Sequence, residues 1–200
     1  FISIIAIPLH IISILLFVFT KSDDTLWSYG IMMCHLALLV FMVTMLLVSR
    51  RFKDRRKPTK GMYVLQYVVV GFILVSGTIF VVFDQLVTTN ITPFVLMCII
   101  EGVILLIRPI ASLIFFVVSC VAYYFSLTLT ITDQQVLLSN RVNGLVAAGI
   151  GFFLSCILWR YNCRNIIHMR RIKAQQRQLK QMAYYDPLTD LPNRRLLEKL

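Results

Sequence analysis

The sequence predicts an all-α membrane protein, with six transmembrane helices followed by a cytoplasmic helix. Hydrophobic residues make up 58% of the chain and charged residues only 14%, whereas soluble domains usually carry about a quarter charged residues. The mean hydropathy is +0.80, and the apolar residues gather into runs of the roughly twenty residues that a helix needs to cross a bilayer. Basic and acidic loops alternate between these runs, which is typical of a chain that crosses the membrane repeatedly.

The apolar runs define the predicted spans. They cover residues 1–20, 26–48, 62–83, 91–107, 110–131 and 142–159. Each run should be helical in lipid, because a helix satisfies its backbone polar groups internally. The fourth run is the shortest, and it reaches membrane length only if Arg108 snorkels at its end. Arg108 and Pro109 predict a tight break between the antiparallel fourth and fifth helices.

The lysines and arginines predict the orientation of the spans. Residues 50–60 contain seven of them against one aspartate, and residues 160–173 contain five. The loops at 21–25, 84–90 and 132–141 contain only two basic residues beside four aspartates. Since basic loops remain in the cytoplasm, we expect a multi-pass protein of the inner (plasma) membrane with both ends in the cytoplasm.

The net charge of +11 is concentrated at the membrane ends of the predicted spans. Lysines and arginines there pair with anionic lipid headgroups at about 1 kcal/mol per residue. Nucleic-acid binding instead requires a basic face on a folded domain with base-reading or stacking groups. The charge therefore predicts the lipid bilayer as a partner and argues against nucleic acid. The five cysteines form no C-x-x-C pair, so they give no zinc or redox signature and packing is their expected role.

Residues 161–183 predict a cytoplasmic helix that continues the sixth span. The segment is polar, contains no glycine or proline and is rich in helix-forming residues. A heptad stripe runs along it, formed by Asn165, Met169, Ile172, Gln176, Leu179 and Ala183. The spacing predicts a short two-stranded coiled coil and therefore a homodimer. Because Asn165 and Gln176 weaken this seam, an amphipathic helix on the membrane surface is the alternative.

Glu101, His10 and His35 are candidates for intramembrane sensing, since ionisable groups at membrane depth are costly. Glu101 lies near the middle of the fourth run, about 10 Å along the helix axis from Arg108. That distance is too long for a direct ion pair without bending, which favours a neutral carboxyl group at pH 7. The alternative role of Glu101 is a hydrogen bond between helices, because polar residues commonly join membrane helices. The two histidines each lie roughly 15 Å from the outer side. They could ligate a metal or haem, but without a third ligand or a C-x-x-C-H motif, buried hydrogen-bonded histidines are the alternative.

The most specific pattern follows the predicted cytoplasmic helix. Residues 186–195 read Asp-Pro-Leu-Thr-Asp-Leu-Pro-Asn-Arg-Arg. This segment resembles the opening motif of the GGDEF (diguanylate cyclase) family, D-x-L-T-G-L-x-N-R-R, with Asp190 in place of the usual glycine. The motif positions carried over are Asp186, Leu188, Thr189, Asn193, Arg194 and Arg195. The local chemistry agrees, because Pro187 disfavours a helical backbone at Asp186 and so ends the preceding helix.

The resemblance implies three regions: a membrane sensor at 1–160, a connecting helix at 161–183 and the truncated start of an α+β GGDEF domain at 184–200. Two such domains, each holding GTP with Mg²⁺, would form cyclic di-GMP. The matching residues would be structural, and the catalytic and metal-binding residues of the family would lie beyond Leu200. No catalytic, cofactor-binding or metal-binding residue is therefore predicted within this chain.

Three functions compete at this point. The leading one is the membrane sensor and dimerisation region of a diguanylate cyclase, a nucleotidyltransferase of bacterial signalling. The second is a regulatory protein with a catalytically degenerate GGDEF domain, with or without a phosphodiesterase domain. The third is a six-span transporter with a chance motif match, although transporters more often show internal repeats and helices broken by glycine or proline in both halves.

Overall fold

The computed structural model describes residues 2–20, 24–52, 59–185 and 191. Within these ranges the chain is helical, with no β-strand. The elements are α1 (Ile2–Phe19), α2 (Thr25–Arg50), α3 (Lys60–Asp84), α4 (Thr92–Ile104), α5 (Pro109–Ser126), a 3-10 turn (Leu127–Leu129) and α6 (Gln134–Tyr184). The all-α prediction is confirmed for these residues. The basic residues at 53–58 and nearly all of the predicted domain start at 184–200 lie outside the described residues.

Four of the helices are long and apolar enough to cross a membrane. They are α2, α3, α5 with its 3-10 turn, and α6. α1 and α4 are also apolar but shorter. α4 has 13 residues, which gives about 20 Å against a hydrocarbon core of about 30 Å. The confirmed part of the six-span prediction is therefore four membrane-length helices.

The end of α4 differs from the prediction. The fourth run predicted helix up to residue 107, but α4 ends at Ile104 and residues 105–108 are not helical. Pro109 is in the first turn of α5 and disfavours a helical backbone at Arg108, so the break lies before it. The side-chain amide of Gln66 donates a hydrogen bond to the carbonyl of Leu106, which replaces one bond that the helix would have made.

Aspartates determine where two helices begin. The Asp24 carboxylate accepts a hydrogen bond of 2.9 Å from the backbone N–H of Trp27. The Asp133 carboxylate accepts bonds from the N–H groups of Gln135 and Val136, at 2.7 and 3.2 Å. Such side chains satisfy donors that the first turn of a helix leaves unpaired. As a result α6 begins at Gln134, so residues 134–141, which were predicted to be loop, are helical.

The chain divides into two compact units, Phe1–Leu158 and Trp159–Leu200. In the first unit α3 packs against α2, α4 and α5. The backbones of α4 and α6 approach closely at Gly102 and Gly151. A Cβ atom on Gly102 would clash with the carbonyl oxygen of Gly151, so only glycine permits this contact. We call it the Gly102–Gly151 crossing; small residues commonly allow such approaches between membrane helices.

The described helical residues of the second unit are 159–184, the carboxyl-terminal part of α6. The helical prediction for 161–183 is confirmed. The apolar residues of the predicted heptad stripe are exposed, including Ile172 to 47% and Leu179 to 62%. The coiled coil itself stays a prediction, because it requires a second chain.

Candidate functional site

Glu101 is fully buried in the first unit. Its relative accessibility is 0%, and neither carboxyl oxygen has a hydrogen-bond partner among the described residues. Arg108 is exposed at the start of α5 and does not contact the carboxyl group. The hydrogen bond between helices that was the alternative role for Glu101 is therefore not formed by the described part of the chain.

Glu101 is next to the Gly102–Gly151 crossing. Gly102 follows it in the chain, and the carbonyl oxygen of Cys98, one turn earlier, would lie 2.6 Å from a Cβ atom on Gly151. Both flanks of Glu101 on α4 thus lie against the backbone of α6. Because Glu101 is 0% exposed, its side chain does not contact solvent in this packing.

Helix α5 carries a further buried polar group without a hydrogen-bond partner among the described residues. Ser119 is 7% exposed, and its hydroxyl makes no hydrogen bond with any described residue. By contrast, the hydroxyl of Ser112 donates a bond of 2.9 Å to the hydroxyl of Ser155 and so joins α5 to α6. Polar groups between membrane helices are usually paired in this second way, which makes Glu101 and Ser119 exceptional.

His10 and His35 lie side by side between α1 and α2. Their Nδ1 atoms are 3.2 Å apart, and their ring centroids are 5.4 Å apart. One neutral imidazole donates its Nδ1–H to the other, which accepts with its lone pair. His35 also packs edge-on against Phe80, with centroids 4.8 Å apart.

This geometry favours a hydrogen-bonded pair over haem ligation. An iron held by both rings would separate the two nitrogens by roughly 4 Å, twice the usual metal–nitrogen distance of about 2 Å. The porphyrin ring would also have to fit between the imidazoles, where the two nitrogens are in contact. Within the described residues, no group of three or more His, Cys, Asp or Glu side chains is arranged to hold a metal ion.

The histidine pair provides a first testable prediction. Replacing His10 and His35 by alanine, singly and together, should give a coupling energy of about 1 kcal/mol in a double-mutant cycle, the usual net value of a hydrogen bond. The measurement is the free energy of unfolding in detergent micelles. His168, which is exposed, serves as the control and should have no effect. A coupling energy near zero would contradict the hydrogen bond.

The sequence did not predict a hydrogen-bonded group that joins three elements. Tyr123 donates its hydroxyl to the carbonyl oxygen of Asn140 at 3.1 Å. The side-chain amide of Asn140 donates to the Gln85 side chain at 3.2 Å. Tyr123 is 1% exposed and stacks on Phe94 with centroids 4.1 Å apart. No local pattern indicates this group, because its members are far apart in the chain.

The motif residues of the segment 186–195 have no described position in the structure. Asp186, Leu188, Thr189, Asn193, Arg194 and Arg195 all lie outside the described residues. No protein-family model, no curated protein and no solved structure matches the chain.

Proposed function

We propose that this chain is the membrane sensor and dimerisation region of a diguanylate cyclase, whose GGDEF domain makes cyclic di-GMP from two GTP with Mg²⁺. The observation that carries the proposal is the motif at residues 186–195. It follows immediately after α6, which ends at Tyr184. The position behind a polar, uninterrupted helix adds weight, because a short motif is informative only in a fitting context.

The proposal includes six crossings of the inner membrane, with both ends in the cytoplasm. α1 has 18 residues and is about 27 Å long. α4 contributes about 20 Å, and the four residues 105–108 add up to about 13 Å at roughly 3.3 Å each. Both lengths are close to the hydrocarbon core of about 30 Å. Gln66 supplies a donor to the Leu106 carbonyl, as non-helical backbone at membrane depth requires.

Dimerisation through residues 165–183 completes the proposal, since two GGDEF domains must face each other for the reaction. The exposed Ile172 and Leu179 support it, because a coiled coil buries apolar side chains at this spacing. The polar Asn165 and Gln176 keep the seam weak. A weak seam suits a signalling helix, since two packings of similar free energy are easily biased by the membrane region.

The experiment measures cyclic di-GMP formed from GTP and Mg²⁺ by membranes that contain the full-length protein. Aspartate at Ile172 and Leu179 would place charge in the seam. It should lower synthesis at least tenfold, because the dimer is lost. The matched control places aspartate at Ala174 and Gln181 and should leave synthesis unchanged. These residues lie two positions after Ile172 and Leu179, on the opposite face of the helix.

The remaining outcomes separate the alternatives. Binding of cyclic di-GMP without synthesis would identify the degenerate regulatory protein. If the protein neither binds nor makes cyclic di-GMP, the transporter remains. One observation favours a transporter: the non-helical segment after α4, because transporters use broken helices at their substrate sites. Equal losses in the seam pair and in the control pair would contradict dimerisation through the stripe.

A further inference from the structure

A negative charge on the buried carboxyl group of Glu101 would be unfavourable. An ionised carboxylate removed from water costs several kcal/mol unless it is paired and hydrogen-bonded. Glu101 is 0% exposed, and neither oxygen has a partner among the described residues. The neutral acid can be buried at far lower cost, because it carries no net charge.

Among the described residues, the ionisable groups around Glu101 carry no positive charge. On α4 the ionisable neighbour is Cys98, and on α5 these neighbours are Cys120 and Tyr123, which interact with Cys98. Residues 68–83 of α3 contain no ionisable side chain, and residues 142–159 of α6 contain only Cys156. Every one of these groups is neutral or negative. These groups therefore cannot neutralise a charge on Glu101, and a bound proton or metal cation would have to do so.

We propose that Glu101 is a proton-binding site: it carries a proton at neutral pH while α4 packs on α6, and it releases that proton to water when the Gly102–Gly151 crossing opens. The carboxyl O–H bond breaks, and its electron pair stays on the carboxylate. The proton site is inferred only from the burial of Glu101 and from the absence of hydrogen-bond partners for its carboxyl group among the described residues. Its use as a sensory input rests on the proposed function.

A metal cation fits the site less well than a proton. Cations such as Ca²⁺ take six to eight oxygen ligands, and Mg²⁺ requires near-ideal octahedral geometry. Around Glu101 the described residues provide one carboxyl group and no cluster of His, Cys, Asp or Glu. A proton needs a single oxygen.

Release of the proton is coupled to packing, because the ionised group needs water. Since Glu101 is fully buried, water reaches it only if α4 moves away from the helices packed around it, and the Gly102–Gly151 crossing is one of these contacts. The packed state is therefore the protonated state, and the open state is the ionised one. A signal that changes the packing of the membrane region would change the charge of Glu101, and a change in charge would change the packing.

Infrared difference spectroscopy on the purified chain in lipid vesicles tests the site. A protonated carboxylic acid has a carbonyl stretching band that an ionised carboxylate lacks. Glu101 and Glu198 are the only glutamates in the chain, so ¹³C-labelled glutamate moves only their bands. At pH 7 we expect an isotope-sensitive acid band that E198Q retains and E101Q loses.

Two results would overturn the proton site. One is the absence of a labelled acid band in folded wild type and E198Q at pH 7. The other is an ionised band that shifts when sodium chloride replaces choline chloride, which would identify a bound metal cation. Labelling of the wild-type chain keeps the test decisive even if E101Q fails to fold.

Cyclic di-GMP synthesis by full-length E101Q tests the sensory role separately. Synthesis that no longer responds to pH in E101Q, beside a responsive wild type, would support the input role. Unchanged regulation with the acid band present would overturn the input role and keep the proton site. If the wild-type protein makes no cyclic di-GMP, the proposed function is overturned, and the infrared result on the proton site is unaffected.

Discussion

Truncation of Tyr123 to alanine should lower the free energy of unfolding by about 3 kcal/mol, the lower end of the range for buried aromatic residues. The ring is 1% exposed and stacks on Phe94 at 4.1 Å, so its removal leaves a cavity that neighbouring helices cannot fill. In the proposed membrane setting, the loss would come mainly from packing rather than from transfer into water. The measurement is reversible unfolding in detergent micelles.

Two controls separate the ring from the hydroxyl group of Tyr123. Phe125→Ala removes an aromatic ring two residues away that is 64% exposed, and it should cost well under half as much. Tyr123→Phe keeps the ring and removes only the bond to the Asn140 carbonyl, which is worth about 1 kcal/mol. Equal losses for Tyr123→Ala and Phe125→Ala would show that Tyr123 does not lie in the packed core.

Alanine at Gly102 should lower the free energy of unfolding by about 1–3 kcal/mol, the usual cost of overpacking. The added Cβ atom meets the carbonyl oxygen of Gly151. This is a backbone atom, so it cannot rotate away as a side chain would, and α4 must shift relative to α6. Since Glu101 precedes Gly102, the same shift should admit water to Glu101 and weaken its acid band at pH 7.

Gly149→Ala is the matched control for this substitution. No heavy atom lies within 4 Å of a Cβ atom at Gly149, although this glycine is two residues from Gly151 on the same helix. Alanine there should be neutral or stabilising by up to about 1 kcal/mol, because alanine favours helix more than glycine does. If Gly102→Ala and Gly149→Ala behave alike, the helices do not cross at Gly102 and Gly151.

Much of the fold was predictable from local patterns. The apolar runs predicted the positions of the helices, because the length that crosses a bilayer is visible in one dimension. The opposite directions of the first two runs predicted similar depths for His10 and His35, whose rings are in contact. The isolated acid in an apolar run singled out Glu101 as a candidate before its surroundings were known.

Other features required the tertiary structure. Gly102, Gly149 and Gly151 look alike in the sequence, yet two of them lie at a backbone contact and one faces open space. The hydrogen bond to the Leu106 carbonyl in the non-helical segment after α4 comes from Gln66, which is forty residues away. The partnerless state of Glu101 likewise depends on which groups α5 and α6 bring near it.

The sequence by itself determined that the chain is helical and apolar enough for a membrane, because those properties are sums over neighbouring residues. It also determined the motif at 186–195, on which the proposed function depends. Only the tertiary structure decided that Glu101 is enclosed beside the Gly102–Gly151 crossing, with no hydrogen-bond partner in the part of the chain that the structure describes. Burial and pairing arise where separate helices meet, and no local pattern along the chain encodes that meeting.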